Sequence, residues 1–204
     1  LVRKTSNVQR LKDLGVRLLN GDLLFKGSLV QPVKDVDYVY HLAATAKAMD
    51  AETLFRVNCQ GTSNLLAACS ENSKKLKRFV HISSQWAVGP SRDGVPLTEA
   101  DECSPLTPYG KSKLDGERTA REFSETLPVT IIRPCSVYGP RSDSLLGLFR
   151  MVKKGIKLSL GLQPRQASFV HVKDLIQGII LASESDRSAG QTYFLSDGQI
   201  HSWD

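Results

Sequence analysis

Pro108-Tyr109-Gly110-Lys111-Ser112-Lys113-Leu114-Asp115-Gly116-Glu117 reads as part of a helix over 108–123. Four residues apart, Tyr109 and Lys113 share one helix face, so an ammonium can sit beside a phenol. A phenol titrates near pH 10 and exchanges protons poorly at neutrality. Bringing it to pH 7 takes roughly 3 pK units, or about 4 kcal/mol. One ammonium at about 6 Å, in an effective dielectric near 20, supplies roughly 2.8 kcal/mol. A second positive charge is needed for the rest. The same spacing also occurs on solvated helix faces, so the pair alone is not specific.

Upstream, Arg78-Phe79-Val80-His81-Ile82-Ser83-Ser84 reads as a buried strand ending in two hydroxyl residues. Residues 85–107, rich in Gly, Pro, Ser and Asp, form the loop between strand and helix. Ser84 then stands at the carboxyl end of a strand, where open α/β sheets bind ligands. Its hydroxyl can hold a substrate carbonyl or alcohol against the Tyr109 oxygen. A serine there can also simply cap the next turn.

Strands alternate with helices along the whole chain, the signature of a parallel sheet covered on both faces. A strand tail is expected at residues 1–3, then a helix over 6–14 capped by Ser6 and stopped by Gly15. Further strands are expected around Leu18, Tyr40, 129–132, 169–171 and 192–195. Helices are expected over 51–72, with Leu54, Val57, Leu65, Leu66 and Cys69 at helical spacing, and over 143–154 and 172–183. The expected architecture is α/β, a Rossmann-like doubly wound parallel sheet in a single unit spanning 1–204.

Taken together, these segments resemble the extended branch of the short-chain dehydrogenase/reductase superfamily, the NAD-dependent epimerase/dehydratase family. Val16-Arg17-Leu18-Leu19-Asn20-Gly21-Asp22-Leu23 is similar to its third strand and adenine-contacting turn. Val39-Tyr40-His41-Leu42-Ala43-Ala44 is similar to its fourth strand and dinucleotide-facing turn. Asn58 with Gly61-Thr62-Ser63-Asn64-Leu65-Leu66 matches the long helix that follows, and Arg133-Pro134-Cys135-Ser136-Val137-Tyr138-Gly139-Pro140 the loop closing over the nicotinamide. Ser168 to Asp174 resembles a later strand–helix junction, and the 25 residues from Ser84 to Tyr109 (109 − 84) fit as well.

The resemblance implies catalysis by Tyr109 as general acid/base, Lys113 as its pKa modulator and ribose contact, and Ser84 as the orienting hydroxyl. It implies cofactor contacts at Asp22, Leu23, Leu42, Ala43, Ala44, Asn58, Lys113, Pro134, Cys135 and Ser136. The oxidised nicotinamide would bring the second positive charge. His171 is expected to be a satisfied core residue.

Three departures bear on the reaction. Dehydratases of this family carry Asp and Glu directly after the hydroxyl residue, where this chain has Gln85 and Trp86. Nucleotide-sugar epimerases usually carry an Arg four residues before the His of the later strand; here that place is Ala167, with Arg165 two residues away. Val88 replaces the usual Tyr before Gly89. These traits lean toward hydroxysteroid dehydrogenase-like and dihydroflavonol-type reductases, which exchange hydride between a nicotinamide and a secondary alcohol or ketone. A nucleotide-sugar epimerase and a non-catalytic NAD(P)-binding regulator are the alternatives.

The opening residues speak to the cofactor. An acidic side chain at the end of the second strand accepts from the NAD ribose, whereas Arg accommodates the NADP phosphate. Arg3 and Lys4 occupy that stretch, and a guanidinium suits a phosphate. NADP is therefore expected, with NAD possible. No Gly-rich strand–turn–helix precedes Leu18, so a fragment lacking the first βα unit and a C-terminal substrate portion is expected.

Composition adds exclusions. With 41% hydrophobic and 24% charged residues, the chain is ordinary for a globular protein. Its net charge of +6 is scattered, and the tightest cluster, Lys74-Lys75-Lys77-Arg78, reads as a solvated turn, so nucleic acid is not expected. Cys59, Cys69, Cys103 and Cys135 show no metal-ligand spacing; the first two read as small core residues. No signal peptide or bilayer-length apolar run is visible, so a cytoplasmic protein is expected; the resemblance implies a small-molecule substrate and a homodimer.

Overall fold

Period-two burial in the strands builds the molecule. In Arg78–Ile82, Phe79 and His81 point to one face of a sheet and Val80 and Ile82 to the other, as a strand covered on both sides requires. The computed structural model describes residues 1–46, 50–91, 94–156 and 166–202.

The chain begins with α1 (Gln9–Asp13), a 3-10 turn at Lys26–Leu29 and α2 (Val30–Val33), followed by β1 (Tyr38–His41). Next come α3 (Ala51–Phe55), a π turn at Arg56–Gln60 and α4 (Gly61–Asn72), contiguous in sequence and together spanning the expected 51–72. β2 (Arg78–Ile82), α5 (Pro108–Glu122), β3 (Val129–Pro134), β4 (Ser136–Tyr138) and α6 (Asp143–Lys153) follow. The remainder is β5 (Gln166–Ala167), β6 (Phe169–His171), α7 (Val172–Glu184), β7 (Thr192–Leu195) and β8 (His201–Ser202).

The main sheet is wholly parallel, in the order β1-β2-β3-β7. His41 pairs with His81, Ile82 with Ile132 and Pro134 with Leu195, so every carboxyl end lies on one edge of the sheet. One face is closed by Leu29, Leu66, Cys69, Phe79, Val129 and Ile131, the other by Val80, Ile132, Val170, Leu175 and Ile179. Burying each large side chain contributes about 2 kcal/mol. The doubly wound α/β architecture read from the sequence is the one observed.

Several local expectations are corrected. The strand expected around Leu18 reduces to one parallel bridge, Val2 with Asn20, in which Val2 donates to the Leu19 carbonyl and accepts from Gly21. Among the described residues no longer ladder flanks it, so Val16 stays exposed. The first helix starts at Gln9, because the Ser6 hydroxyl accepts instead from the Arg3 amide (3.1 Å); Gly15, at φ +66°, does follow its end. The 74–78 cluster is not all solvated: Arg78 is buried and donates to the Ser185 carbonyl (2.7 Å), tying β2 to the end of α7. Cys69 is in the core, whereas Cys59 is half-buried against Thr119.

Candidate active site

α5 begins where sequence says it should. The Thr107 hydroxyl accepts from the Gly110 amide (3.0 Å), and Pro108 occupies the first turn, where its missing N–H costs nothing. The helix lies so close to the loop after β2 that a Cβ at Gly110 would fall 2.2 Å from the Trp86 carbonyl. One turn further, a Cβ at Gly116 would fall 2.7 Å from the Asn58 carbonyl. Two glycines thus set the depth at which Tyr109 and Lys113 enter the site.

The structure brings the three expected catalytic residues together. Ser84, just beyond β2, sits beside the Tyr109 phenol, where its hydroxyl favours the ionised form, and accepts from the Trp86 amide (3.3 Å). Lys113, almost wholly buried, directs its amine to the Ile82 carbonyl at 2.8 Å. Burial raises the Tyr109 pKa above its ordinary value, and the neighbouring Ser84 hydroxyl offsets this only in part. The amine itself is pushed down by burial to about 8, against the upward pull of Glu117.

Behind this trio lies a polar layer the sequence reading missed. Glu117, one turn after Lys113, is fully buried and takes two bonds from Arg133, at 3.0 Å from Nε and 2.8 Å from Nη2. Arg121 adds a bond of 2.8 Å from the surface. Burial alone would raise the Glu117 carboxyl, but the Arg133 bonds and charge outweigh it and hold the group below the usual range. The Ser83 hydroxyl stands beside this carboxylate without a hydrogen bond of ordinary geometry. Arg133 also donates to Cys103 (3.2 Å) and lies over the Phe194 ring, 5.4 Å from its centre. The available signals were an acid four residues from Lys113 and a cation inside an apolar strand.

Asn58 is a clamp whose side chain is engaged by the protein. Its amide accepts from the Thr45 amide (2.8 Å) and donates to the Thr45 carbonyl (2.9 Å) and the Ser112 hydroxyl (3.0 Å). It sits in the π turn, an irregularity common at functional sites. Leu23 places its side chain in the core, leaving only its main chain for a ligand, and Asp22 caps the Leu24 amide (2.9 Å).

Leu42, Ala43 and Ala44 are exposed past the carboxyl end of β1, and Arg3 is exposed beside the Val2 bridge. Pro134 and Cys135 are buried at the end of β3, and the Ser136 hydroxyl accepts from the Gln85 amide at 3.4 Å. Burial pushes the Cys135 thiol up to about 11. His171 is half-buried rather than a core residue. Its Nδ1 accepts from the Lys173 amide (3.3 Å) and caps α7, with the ring edge-on to Tyr138 at 5.2 Å. Arg165 lies outside the described residues. Among the described residues no group of three potential metal ligands forms, and no helix is long and apolar enough to cross a membrane.

The chain is similar to known proteins along most of its length. A UDP-glucose 4-epimerase of Vibrio cholerae is 33% identical over 198 residues, covering 92% of this chain and 60% of that protein. A ketoreductase of Stigmatella aurantiaca acting on a farnesylated dihydroquinoline oxide is 29% identical over 215 residues, covering 97% and 60%. The chain thus spans about 60% of the length of these curated relatives. Among solved structures, a double mutant of the Streptomyces venezuelae dTDP-glucose 4,6-dehydratase DesIV with NAD bound superposes with a TM-score of 0.81 at 29% identity, covering 96% of this chain and 64% of that one. A Bacillus cereus UDP-glucuronic acid 4-epimerase, in complex with UDP-glucuronic acid and NAD, gives 0.80 at 26%, covering 96% and 66%. The family model described as the NAD dependent epimerase/dehydratase family matches residues 1–195, and the chain belongs to that family.

Proposed function

We propose that the protein is an NADP-dependent oxidoreductase that interconverts a secondary alcohol and a ketone. The observation that carries this reading is the meeting of Ser84, at the carboxyl edge of a parallel sheet, with the Tyr109 phenol on α5, where Lys113 follows one turn along the same helix. The residues present suit a nicotinamide dinucleotide. Small exposed residues at 43–44 allow close backbone approach, and the Lys113 amine rests on a main-chain carbonyl that a ribose hydroxyl could replace.

When bound, the nicotinamide supplies or takes up the hydride. Ser84 holds the reacting substrate oxygen, and Tyr109 Oη passes a proton to it during reduction or takes one during oxidation. Lys113 contributes the positive charge that favours the phenolate. The layer of Glu117 and Arg133 behind them keeps that amine in a counter-charged setting.

Tyr109→Phe tests the reading: turnover should vanish while NADP binding by calorimetry is retained, and surviving turnover would refute the mechanism. Arg3 supports NADP over NAD. Arg3→Asp should shift preference toward NAD, and an unchanged preference would refute that assignment.

Nucleotide-sugar epimerisation is the second reading, favoured by similarity to the Vibrio cholerae epimerase. Its mark would be an altered sugar product from a UDP- or GDP-sugar, with a cofactor that does not exchange.

A further inference from the structure

We propose that Cys103 is a site of reversible oxidation to a sulfenic acid, with the buried Arg133 guanidinium as the built receptor for the oxygen that the sulfur gains. The thiol lies outside the Ser84, Tyr109 and Lys113 trio, and nothing in its chemistry draws on the oxidoreductase reading.

Half-buried Cys103 lies in the stretch leading into α5, and that stretch is pinned on both sides of it. The Ser104 amide donates to the Val88 carbonyl (2.7 Å), and the Glu99 carboxylate accepts from the Phe194 amide (2.8 Å). Facing the thiol, the Arg133 side chain is 1% accessible and lies over the Phe194 ring. A planar guanidinium presents its N–H groups in pairs along its edges. Glu117 fills the edge made by Nε and Nη2, so the other N–H of Nη2 points along the edge it shares with Nη1. Cys103 Sγ takes that N–H at 3.2 Å. Nη1, beside it, is buried and has no hydrogen-bond partner among the described residues. A two-pronged donor edge is thus half filled, by a sulfur able to carry a second acceptor atom.

Hydrogen peroxide supplies the missing atom. The thiol sulfur attacks one peroxide oxygen, and the S–O bond forms as the O–O bond breaks. Sulfur gives up two electrons, and the thiol proton leaves with the second oxygen as water. The new oxygen can then accept from Arg133 Nη1 while Sγ keeps the Nη2 contact. Two equivalents of an external thiol return the sulfenic acid to Cys103, forming one disulfide of the reductant and one water. A neighbouring cation and solvent access are the features that favour oxidation of a cysteine. The other thiols are placed differently: Cys69 and Cys135 are buried, and half-buried Cys59 rests against the Thr119 hydroxyl (3.6 Å). The Glu117 edge of the guanidinium is untouched, so oxidation leaves that ion pair in place.

The test treats the whole chain with hydrogen peroxide in the presence of dimedone, which traps sulfenic acids, and follows the adduct at each cysteine by peptide mass spectrometry. Cys103 should be labelled at least about tenfold faster than Cys59, which is half-buried as well. Arg133→Lys keeps a cation but removes the second donor, and should bring Cys103 labelling down to about the Cys59 rate. Without dimedone, the gain of one oxygen at Cys103 should be reversed by dithiothreitol. Equal labelling of Cys59 and Cys103 would overturn the assignment. So would an Arg133→Lys protein labelled as fast as the wild type, or oxygen on Cys103 that dithiothreitol does not remove. Cys59 serves as the reference within the wild-type protein, so the outcome is decided even where Arg133→Lys does not fold. None of these readouts involves turnover, so they are separate from the fate of the oxidoreductase reading, which stands or falls on Tyr109→Phe.

Discussion

Arg133 and Glu117 form a two-bonded ion pair with 1% and 0% of their side chains accessible, joining β3 to α5 one turn after Lys113. Breaking such a pair from one side leaves an uncompensated buried charge, which costs about 3–5 kcal/mol. Glu117→Ala should therefore lower the unfolding free energy by that amount, read from urea denaturation. Replacing both partners with apolar residues of similar volume should recover much of the loss. A single variant as stable as the wild type would show that the guanidinium finds another partner, for which Cys103 is the candidate.

Gly110 is held by geometry rather than by conformational freedom. The nearest atom to a Cβ there is a main-chain oxygen, at 2.2 Å, so no side-chain rotation relieves the clash. Gly110→Ala must move the Trp86 turn or the first turn of α5. The expected outcome is a loss of about 1–3 kcal/mol in stability by chemical denaturation, with the Ser84–Tyr109 contact lengthened. Gly94, with open space around it, gives the control. Its φ of +71° makes any cost of Gly94→Ala one of backbone strain alone.

His41 and His81 lie side by side, ring centres 5.4 Å apart, under the Lys113 amine. Thr62 bonds His41 Nε2 (2.9 Å), whereas among the described residues neither ring nitrogen of His81 has a hydrogen-bond partner. Burial pushes His41 down to about 3 and His81 well below its ordinary value, with the Lys113 charge acting in the same direction. The unfolded chain, with histidines near 6.5, binds these protons first, so stability rises with pH across this window. The contribution is complete above about pH 6.5 and is lost as pH falls toward 3. Each histidine should cost about 1.4 kcal/mol per pH unit there. Urea midpoints between pH 8 and pH 5 should fall more steeply for the wild type than for His41→Gln.

The parallel α/β architecture and most of the helices were legible in sequence because they rest on local periodicity, and Ser84, Tyr109 and Lys113 stood out through a family motif of fixed spacing. What was not legible depends on partners distant along the chain. The Leu18 segment has strand composition, yet among the described residues only Val2 pairs with it, and a lone bridge does not define a strand. Asn58 fits a family position, but its role follows from Thr45 and Ser112, which the π turn brings within reach. Arg133 reads as the start of a loop motif, and only the packing of β3 beneath α5 reveals it as the counter-ion of Glu117.

Lys113 and Tyr109 give the sharpest check on the chemistry. The amine is engaged with the Ile82 carbonyl, and the buried phenol sits above its ordinary pKa. The difference between wild-type and Tyr109→Phe absorbance at the phenolate band should therefore show no ionisation below pH 10. Saturating NADP in its oxidised form should move that transition down by at least one pH unit, because the ring charge adds to the lysine charge. Lys113→Met should abolish the movement. The same variant should be more stable than the wild type at pH 7, by up to about 3 kcal/mol, since it removes a charge that burial disfavours. The sign follows from the folded pKa of about 8 lying below the unfolded value of 10.5. The unfolded chain holds the proton more tightly across that interval, so the wild type gains stability as pH rises from 8 to 10.5 and the advantage of Lys113→Met disappears. A phenol that ionises near neutrality without ligand would contradict the observed amine–carbonyl contact and the burial of Tyr109 together.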